Sequence, residues 1–281
     1  MIPKRLAIIV LALTCGLLAG ELFARWVYQI PLHRANATTG YELVPDQKGQ
    51  FLLSNDWHVN ALGMPTAKEF EPGSARDILL VGDSIVQGTV AVPQSSQLAD
   101  TLAARTGWAV WPAATKSWAL QNELAFLRER PQLARNADTI VFVLTSEDFG
   151  APSQWRNPIW HPRSNAYPRL LVIAGRFLGA KWASVSPPFP VAERDTLADW
   201  AAFNESAEVP VLTVAYAAEP ETGTDCGFVP EAYRQYGQWT CVDAPRDLGA
   251  GGLRDPSHPS PSGIEALAAI LQARIEAALS E

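Results

Sequence analysis

The stretch ILLVGDSIVQG, Ile78 to Gly88, runs four apolar residues into Gly-Asp-Ser and sets another Gly four residues after the serine. A serine hydroxyl alone is a poor nucleophile. To attack a carbonyl it needs a base within hydrogen-bond reach and a third group that orients the base. The chain has four histidines. His33 lies near the apolar N-terminus, His58 in WHVN, His161 in WHPRSN and His258 in LRDPSHPS. Only His258 has a carboxylate three residues before it. In a turn, Asp255 can reach Nδ1 of His258 and leave Nε2 to take the proton of Ser84, with Pro256 and Pro259 stiffening the segment. The plainer reading of the same residues is a turn serine and a solvated turn.

These side chains can meet only if the intervening elements carry them to one place. Ile78 to Val81 is a short apolar run of the kind that forms a strand covered on both faces. The pattern predicts a helix over about 94–106, a weaker strand over 108–111, a helix over 118–130 stopped by Pro131, and a clear strand over 139–144 (TIVFVL). A helix over 196–207, a strand over 209–216 and a terminal helix with Ile264, Leu267, Leu271 and Ile275 on one stripe follow. Ser260 or Ser262 can cap that last helix. Strands alternating with helices imply a mainly parallel sheet with helices on both sides. Ser84 follows a strand and His258 precedes the terminal helix, so both belong at the carboxyl edge, where open α/β sheets bind ligands.

The pair GDSIVQG and DPSHPSPSG resembles the motifs of the GDSL, or SGNH, hydrolase superfamily, over about residues 77–278. YELVPDQKGQF and VNALGM are similar to the lead-in of its membrane-anchored bacterial members. The resemblance implies a three-layer α/β/α sandwich in which Ser84 is the nucleophile, His258 the base and Asp255 the orienting acid. It implies no metal or organic cofactor, and makes the Ser84 backbone N–H one oxyanion donor. Two departures stand out. After the second strand the chain reads VWPAATKSW, with Ala114 near the expected Gly and Pro112 at the usual Asn, so a backbone N–H from Ala114 is the candidate second donor. After TIVFVL it reads TSEDFG, with Glu147 at the position of a donor Asn. A carboxylate accepts hydrogen bonds and repels an oxyanion unless it is protonated.

Composition bounds the rest. The chain has 281 residues, 48% hydrophobic and 18% charged, with net charge −7. An acidic surface argues against nucleic acid as the main partner. Residues 1–30 read as an anchor or signal segment: Lys4 and Arg5 precede an apolar run, and Trp26 and Tyr28 follow where an interfacial aromatic belt belongs. The reading favoured is an uncleaved inner-membrane anchor with residues 31–281 facing the periplasm or cell exterior; a cleaved signal peptide is the alternative. Residues 31–76 read as a stalk and lead-in, and 77–281 as the main domain, with Pro-, Gly- and Trp-rich insertions over about 149–190 and 217–253. Cys226 and Cys241 form a disulfide in an oxidising compartment or remain buried thiols. No second Cys or His stands at metal-ligand spacing near them.

Glu147, His161, Trp155 and Trp160 are candidate substrate-binding residues, and Trp239 a further aromatic for a sugar cleft; a surface loop for His161 and core packing for the tryptophans are the plainer readings. The leading expectation is an exported serine esterase or O-acyltransferase working through an acyl-enzyme on an acylated, typically acetylated, envelope or secreted polysaccharide. The alternative is an inactive carbohydrate-binding or assembly component, working with other polysaccharide-assembly proteins.

Overall fold

The computed structural model describes residues 3–73, 75–165, 168–179, 183–218, 221, 223 and 225–280. Parts of both predicted insertions therefore lie outside the described residues. The chain opens with helix α1 (Lys4–Val27), followed by two hairpins, β1 (His33–Asn36) with β2 (Gly40–Leu43) and β3 (Gln47–Phe51) with β4 (Asn55–Val59). Strand β5 (Asp77–Gly82) leads into the short helix α2 (Ser84–Gln87), then α3 (Leu98–Thr106), β6 (Ala109–Ala114), α4 (Leu120–Glu129), α5 (Pro131–Arg135) and β7 (Thr139–Leu144). A 3-10 turn (Ser146–Phe149), α6 (Arg169–Phe177), α7 (Thr196–Ser206), β8 (Val211–Ala217), α8 (Glu231–Arg234), β9 (Gln238–Asp243), α9 (Ala244–Asp247) and α10 (Pro261–Ala278) complete it.

The central sheet is parallel throughout, in the order β6-β5-β7-β8-β9. Side chains on a strand alternate between faces. Ile78 and Leu80 accordingly pack on one side with Leu98 and Leu102 of α3 and Leu267, Leu271 and Ile275 of α10. Leu79 and Val81 pack on the other with Leu124 and Leu127 of α4, Leu133 of α5 and Trp200 of α7. The result is the three-layer α/β/α sandwich expected from the strand–helix alternation. The chain turns back at β5, whose neighbours β6 and β7 lie on opposite sides. At such a switch point a crevice opens beyond the strand ends.

Residues 31–76, read as a stalk and a lead-in, carry the two hairpins, and both parts pack on the domain. Tyr41 and Leu43 of β2, and Met64 beyond β4, are completely or almost completely buried. The Tyr41 hydroxyl donates to the Lys116 carbonyl at 2.6 Å, and Trp118 Nε1 donates to the Tyr41 carbonyl at 2.8 Å. Asn122, fully buried in α4, donates to the carbonyls of Thr39 and Ser153 and accepts from the Ser153 N–H, stitching β1–β2 to the first insertion. The N-terminal segment also joins the body: Ala24 and Ile30 are buried, and Glu21 accepts from the N–H groups of Arg169 and Leu170. Isolated four- and five-residue hairpins are unstable in water and persist by packing on a larger core.

Cys226 and Cys241 form a disulfide, tying edge strand β9 to the loop after β8. Cys15 is a free, exposed thiol on α1. Helix α1 is long and apolar enough to cross a membrane, with mean hydropathy 2.3 over its best window.

Candidate active site

Ser84 is the first residue of α2, directly beyond β5. Asp83 caps that helix, its carboxylate accepting from the Ile85 N–H at 3.0 Å. The sharp exit from the strand depends on space at Gly82. A Cβ there would stand 2.6 Å from Val86 Cγ2 and 2.9 Å from the Val143 carbonyl oxygen. Gly88, at φ +71°, then closes the helix with its N–H on the Ser84 carbonyl.

His258 comes from the turn before α10. That turn is closed by hydrogen bonds from Arg254 N–H to the His258 carbonyl and from Ser260 N–H to the Gly252 carbonyl, each 2.9 Å. Across it, His258 Nδ1 lies 2.8 Å from Asp255 Oδ1, and His258 Nε2 lies 3.0 Å from Ser84 Oγ. The same Asp255 oxygen accepts the N–H groups of Ser257 and His258, while Arg254 donates to the other at 3.1 Å. Burial alone would raise the Asp255 carboxyl. The hydrogen bonds from the His258 ring and the Ser257 N–H outweigh it and hold the group at about 2. Asp255 is therefore ionised at any pH at which an imidazole could act as a base.

Asp83 competes for the serine. Ser84 Oγ also has Asp83 Oδ2 at 3.3 Å, so its proton has two acceptors. Burial pushes the Asp83 carboxyl up to about 6, against the downward pull of the Ile85 N–H and nearby His258. Around pH 6 this carboxyl shifts from acid to carboxylate, whereas Asp255 stays charged.

A cleft of about 920 Å³ opens over these groups, within the size range of small-molecule sites. Ser84, His258, Asp255, Glu147, His161 and Trp160 all line it. Trp160 is 46% exposed, and the Arg176 guanidinium lies 5.3 Å from the centre of its ring. His161 is not a surface loop residue. Its ring packs 4.6 Å from Tyr41 and 4.9 Å from His33. Burial, then the charges of Lys116 and Arg176, depress its pKa to about 3, so it is neutral.

Three of the candidate residues lie elsewhere. Ala114 pairs opposite Gly82 inside the sheet, is buried, and does not line the cleft. From that strand end the wall is made instead by Lys116 and Ser117. Trp155 is 6% exposed, with its Nε1 donating to the His161 carbonyl: it is a packing residue, because an indole with its one donor satisfied is stable inside a core. Trp239 likewise packs against Trp200 and Phe149, away from the cleft.

Several lining residues carry no sequence signal strong enough to have found them. Ser117 has a left-handed backbone, φ 60°, uncommon for a non-glycine residue. Lys116 projects from the same turn. Burial first, then Arg176 and Arg254, lower its ammonium to about 8. Asn157 lines the cleft from the first insertion, its Oδ1 accepting from the Ile159 and Trp160 N–H groups. Behind the cleft, Glu123 and Asp148 are both fully buried. Asp148 Oδ2 accepts from the Thr145 N–H and Oγ, while Asp148 Oδ1 and both Glu123 oxygens find no hydrogen-bond partner among the described residues. Burial and the mutual repulsion of these carboxyls push both far above the usual carboxylate range. Among the described residues no His, Cys, Asp and Glu cluster is arranged to hold a metal.

No family model and no curated protein matches the chain. Solved structures with similar folds include a protein of the G-D-S-L family from Desulfitobacterium hafniense, at 12% identity and TM-score 0.42 over 71% of this chain and 99% of that one. A carbohydrate esterase family 2 enzyme from Corynascus thermopiles aligns at 15% identity and TM-score 0.43, over 76% of this chain and 69% of that one. An acetyl xylan esterase from Butyrivibrio proteoclasticus aligns at 13% identity and TM-score 0.39, over 74% and 66%. At such identities the function has to be argued from the site itself.

Proposed function

We propose that this chain is a serine esterase or O-acyl-transfer enzyme of the SGNH type, carried outside a membrane on α1. The observation that carries the reading is the continuous relay from Ser84 Oγ through His258 to Asp255, 3.0 and 2.8 Å long, at the mouth of a cleft on the carboxyl edge of the sheet. His258 Nε2 takes the Ser84 proton as Oγ bonds to an ester carbonyl carbon. Asp255 holds the other ring nitrogen in the N–H tautomer and stabilises the imidazolium that forms. The tetrahedral intermediate collapses as His258 returns the proton to the departing alcohol, leaving an acyl-serine. Water, or a sugar hydroxyl deprotonated by the same imidazole, then removes the acyl group.

The oxyanion needs donors. The Ser84 N–H is at the open end of a helix, where backbone amides lack intrahelical acceptors. Ser117, held left-handed on the facing wall, is our candidate for the second donor in place of Ala114. The exposed Trp160 ring and the polar wall around it suit an O-acetylated sugar, which needs an aromatic platform and hydrogen-bonding edges. The disulfide agrees with an oxidising compartment.

Glu147 favours a second reading, a non-catalytic sugar-binding component. One experiment separates the two. The full chain in detergent micelles is assayed on an aryl acetate beside Ser84→Ala and probed with a serine-directed fluorophosphonate. Turnover and labelling that both vanish in Ser84→Ala support the enzyme. Equal turnover with no labelling of either protein removes it.

A further inference from the structure

Helix α6 is built inside out. Its buried side carries Arg169, Val172 and Gly175, and the half-buried Arg176 donates inward to the carbonyls of Ile159 and Trp160 and to the Tyr28 hydroxyl. Its outer side carries Leu170, Leu171, Ala174, Phe177 and, one residue beyond, Leu178, a spacing that puts all five on one stripe. All five are exposed, Phe177 by 89% and Leu178 by 75%. A helix of a water-soluble domain has the opposite arrangement.

The location of this stripe identifies what covers it. Helix α6 packs on the last turns of α1. Glu21, at the end of the α1 apolar run, is bonded to Arg25 and accepts the first two N–H groups of α6 at 2.6 and 3.0 Å. The Leu170 side chain lies against Gly20. Next to this joint α1 exposes Leu22, Phe23 and Trp26. The two apolar surfaces are thus continuous, starting at the level where charged and aromatic residues mark the end of the span.

We propose that α6 is an interfacial helix that lies in the outer surface of the lipid bilayer beside α1, its Leu170–Leu178 stripe in contact with acyl chains. The polar and cationic side then faces the protein, and Arg176 and Trp160 place one wall of the cleft at the height of the membrane surface. This rests on the reading of α1 as a membrane anchor.

The chain supplies its own depth reference, since Cys15 is an exposed thiol in the middle of α1. The full-length protein is placed, one chain per disc, in nanodiscs of phosphatidylcholine and phosphatidylglycerol. An environment-sensitive fluorophore is attached at Cys15, or, in a Cys15→Ser background, at Phe177→Cys, Leu178→Cys or, on exposed α10, Ala273→Cys. Lipids carrying a nitroxide high or low on the acyl chain serve as quenchers. The expected result is quenching at Cys15 by the deep nitroxide, a blue shift and quenching at positions 177 and 178 by the shallow one, and no change at 273. Positions 177 and 178 behaving like 273 while Cys15 is quenched would overturn the interfacial helix and leave the anchor standing. An unquenched Cys15 would remove the anchor and this inference with it. A blue shift at 177 that arises only with two chains per disc would assign the stripe to a second copy and overturn the lipid contact.

Discussion

At Glu147 a carboxylate sits on the rim of a cleft whose proposed chemistry gathers negative charge on a carbonyl oxygen. An amide in its place would donate where the carboxylate repels, and single donors of this kind are worth about 10²- to 10³-fold in rate. Glu147→Asn is therefore expected to raise kcat on an aryl acetate by about tenfold or more. An unchanged kcat would mean that this side chain does not face the reacting carbonyl. Residue-level legibility followed the chemistry. Asp255 and His258 stand three apart, and a serine after an apolar run is conspicuous, so their meeting could be argued from types and spacing. Ser117 could not be found that way, because a serine forced into left-handed backbone looks like any other serine, whereas a glycine would have marked the position. Trp155 and Trp160 illustrate a second limit. Five residues apart, one is buried and the other open to the cleft, and nothing in a tryptophan's identity distinguishes the two.

The join between β5 and α2 sets the position of Ser84, and Gly82 is what permits it. A methyl group there has to displace Val86 or the β7 carbonyl of Val143. Gly82→Ala is expected to cost about 1–3 kcal/mol, the usual penalty for overpacking, as read by urea unfolding. Because misplacement by about 1 Å can cost about 10²-fold, its kcat should fall further than its stability suggests. A variant as stable and as fast as the parent would show that the strand end can relax. The long buried strands and α10 were legible because their apolar patterns are strong. The hairpins of residues 33–59 were not: their strands are four or five residues long, half polar, and stabilised by partners far away in sequence, such as Asn122 and Trp118. Helix α6 was hidden for a different reason. Its outward apolar stripe lies within a Pro- and Trp-rich insertion that reads as loop.

Three buried carboxyls, Asp83, Glu123 and Asp148, give the whole molecule a pH dependence. Each is harder to ionise in the folded protein than in the unfolded chain. At these three groups the folded state binds more protons, and their contribution to stability falls as pH rises. For Asp83 that loss runs from its ordinary 3.8 to about 6. Burial and mutual repulsion raise the other two well above the ordinary carboxylate value, so their contribution has the same sign. His33 and His161, held below the ordinary imidazole value, and Lys116, held at about 8, work in the opposite direction, so the carboxyls are read from the difference in Tm between the protein and Glu123→Gln across pH 5 to 8. Glu123→Gln, which keeps the shape without a titrating proton, should gain Tm relative to the parent as pH rises, about 2–4 °C per kcal/mol recovered. A Tm difference between the two proteins that does not change with pH would show that Glu123 does not titrate with folding.

The buried position of Tyr41 has a consequence for the proposed anchoring on α1. Its hydroxyl supports the Lys116 carbonyl and its ring backs His161, so the cleft is partly built from the arm that leads to α1. A protease cutting the largely exposed stretch from Ala67 to Gly73 would sever the covalent link yet leave that arm lodged behind Lys116 and His161. Pulling the arm out would remove the support behind Lys116 and His161, two residues of the cleft wall, so under the proposed anchoring on α1 release of the domain would also loosen its site.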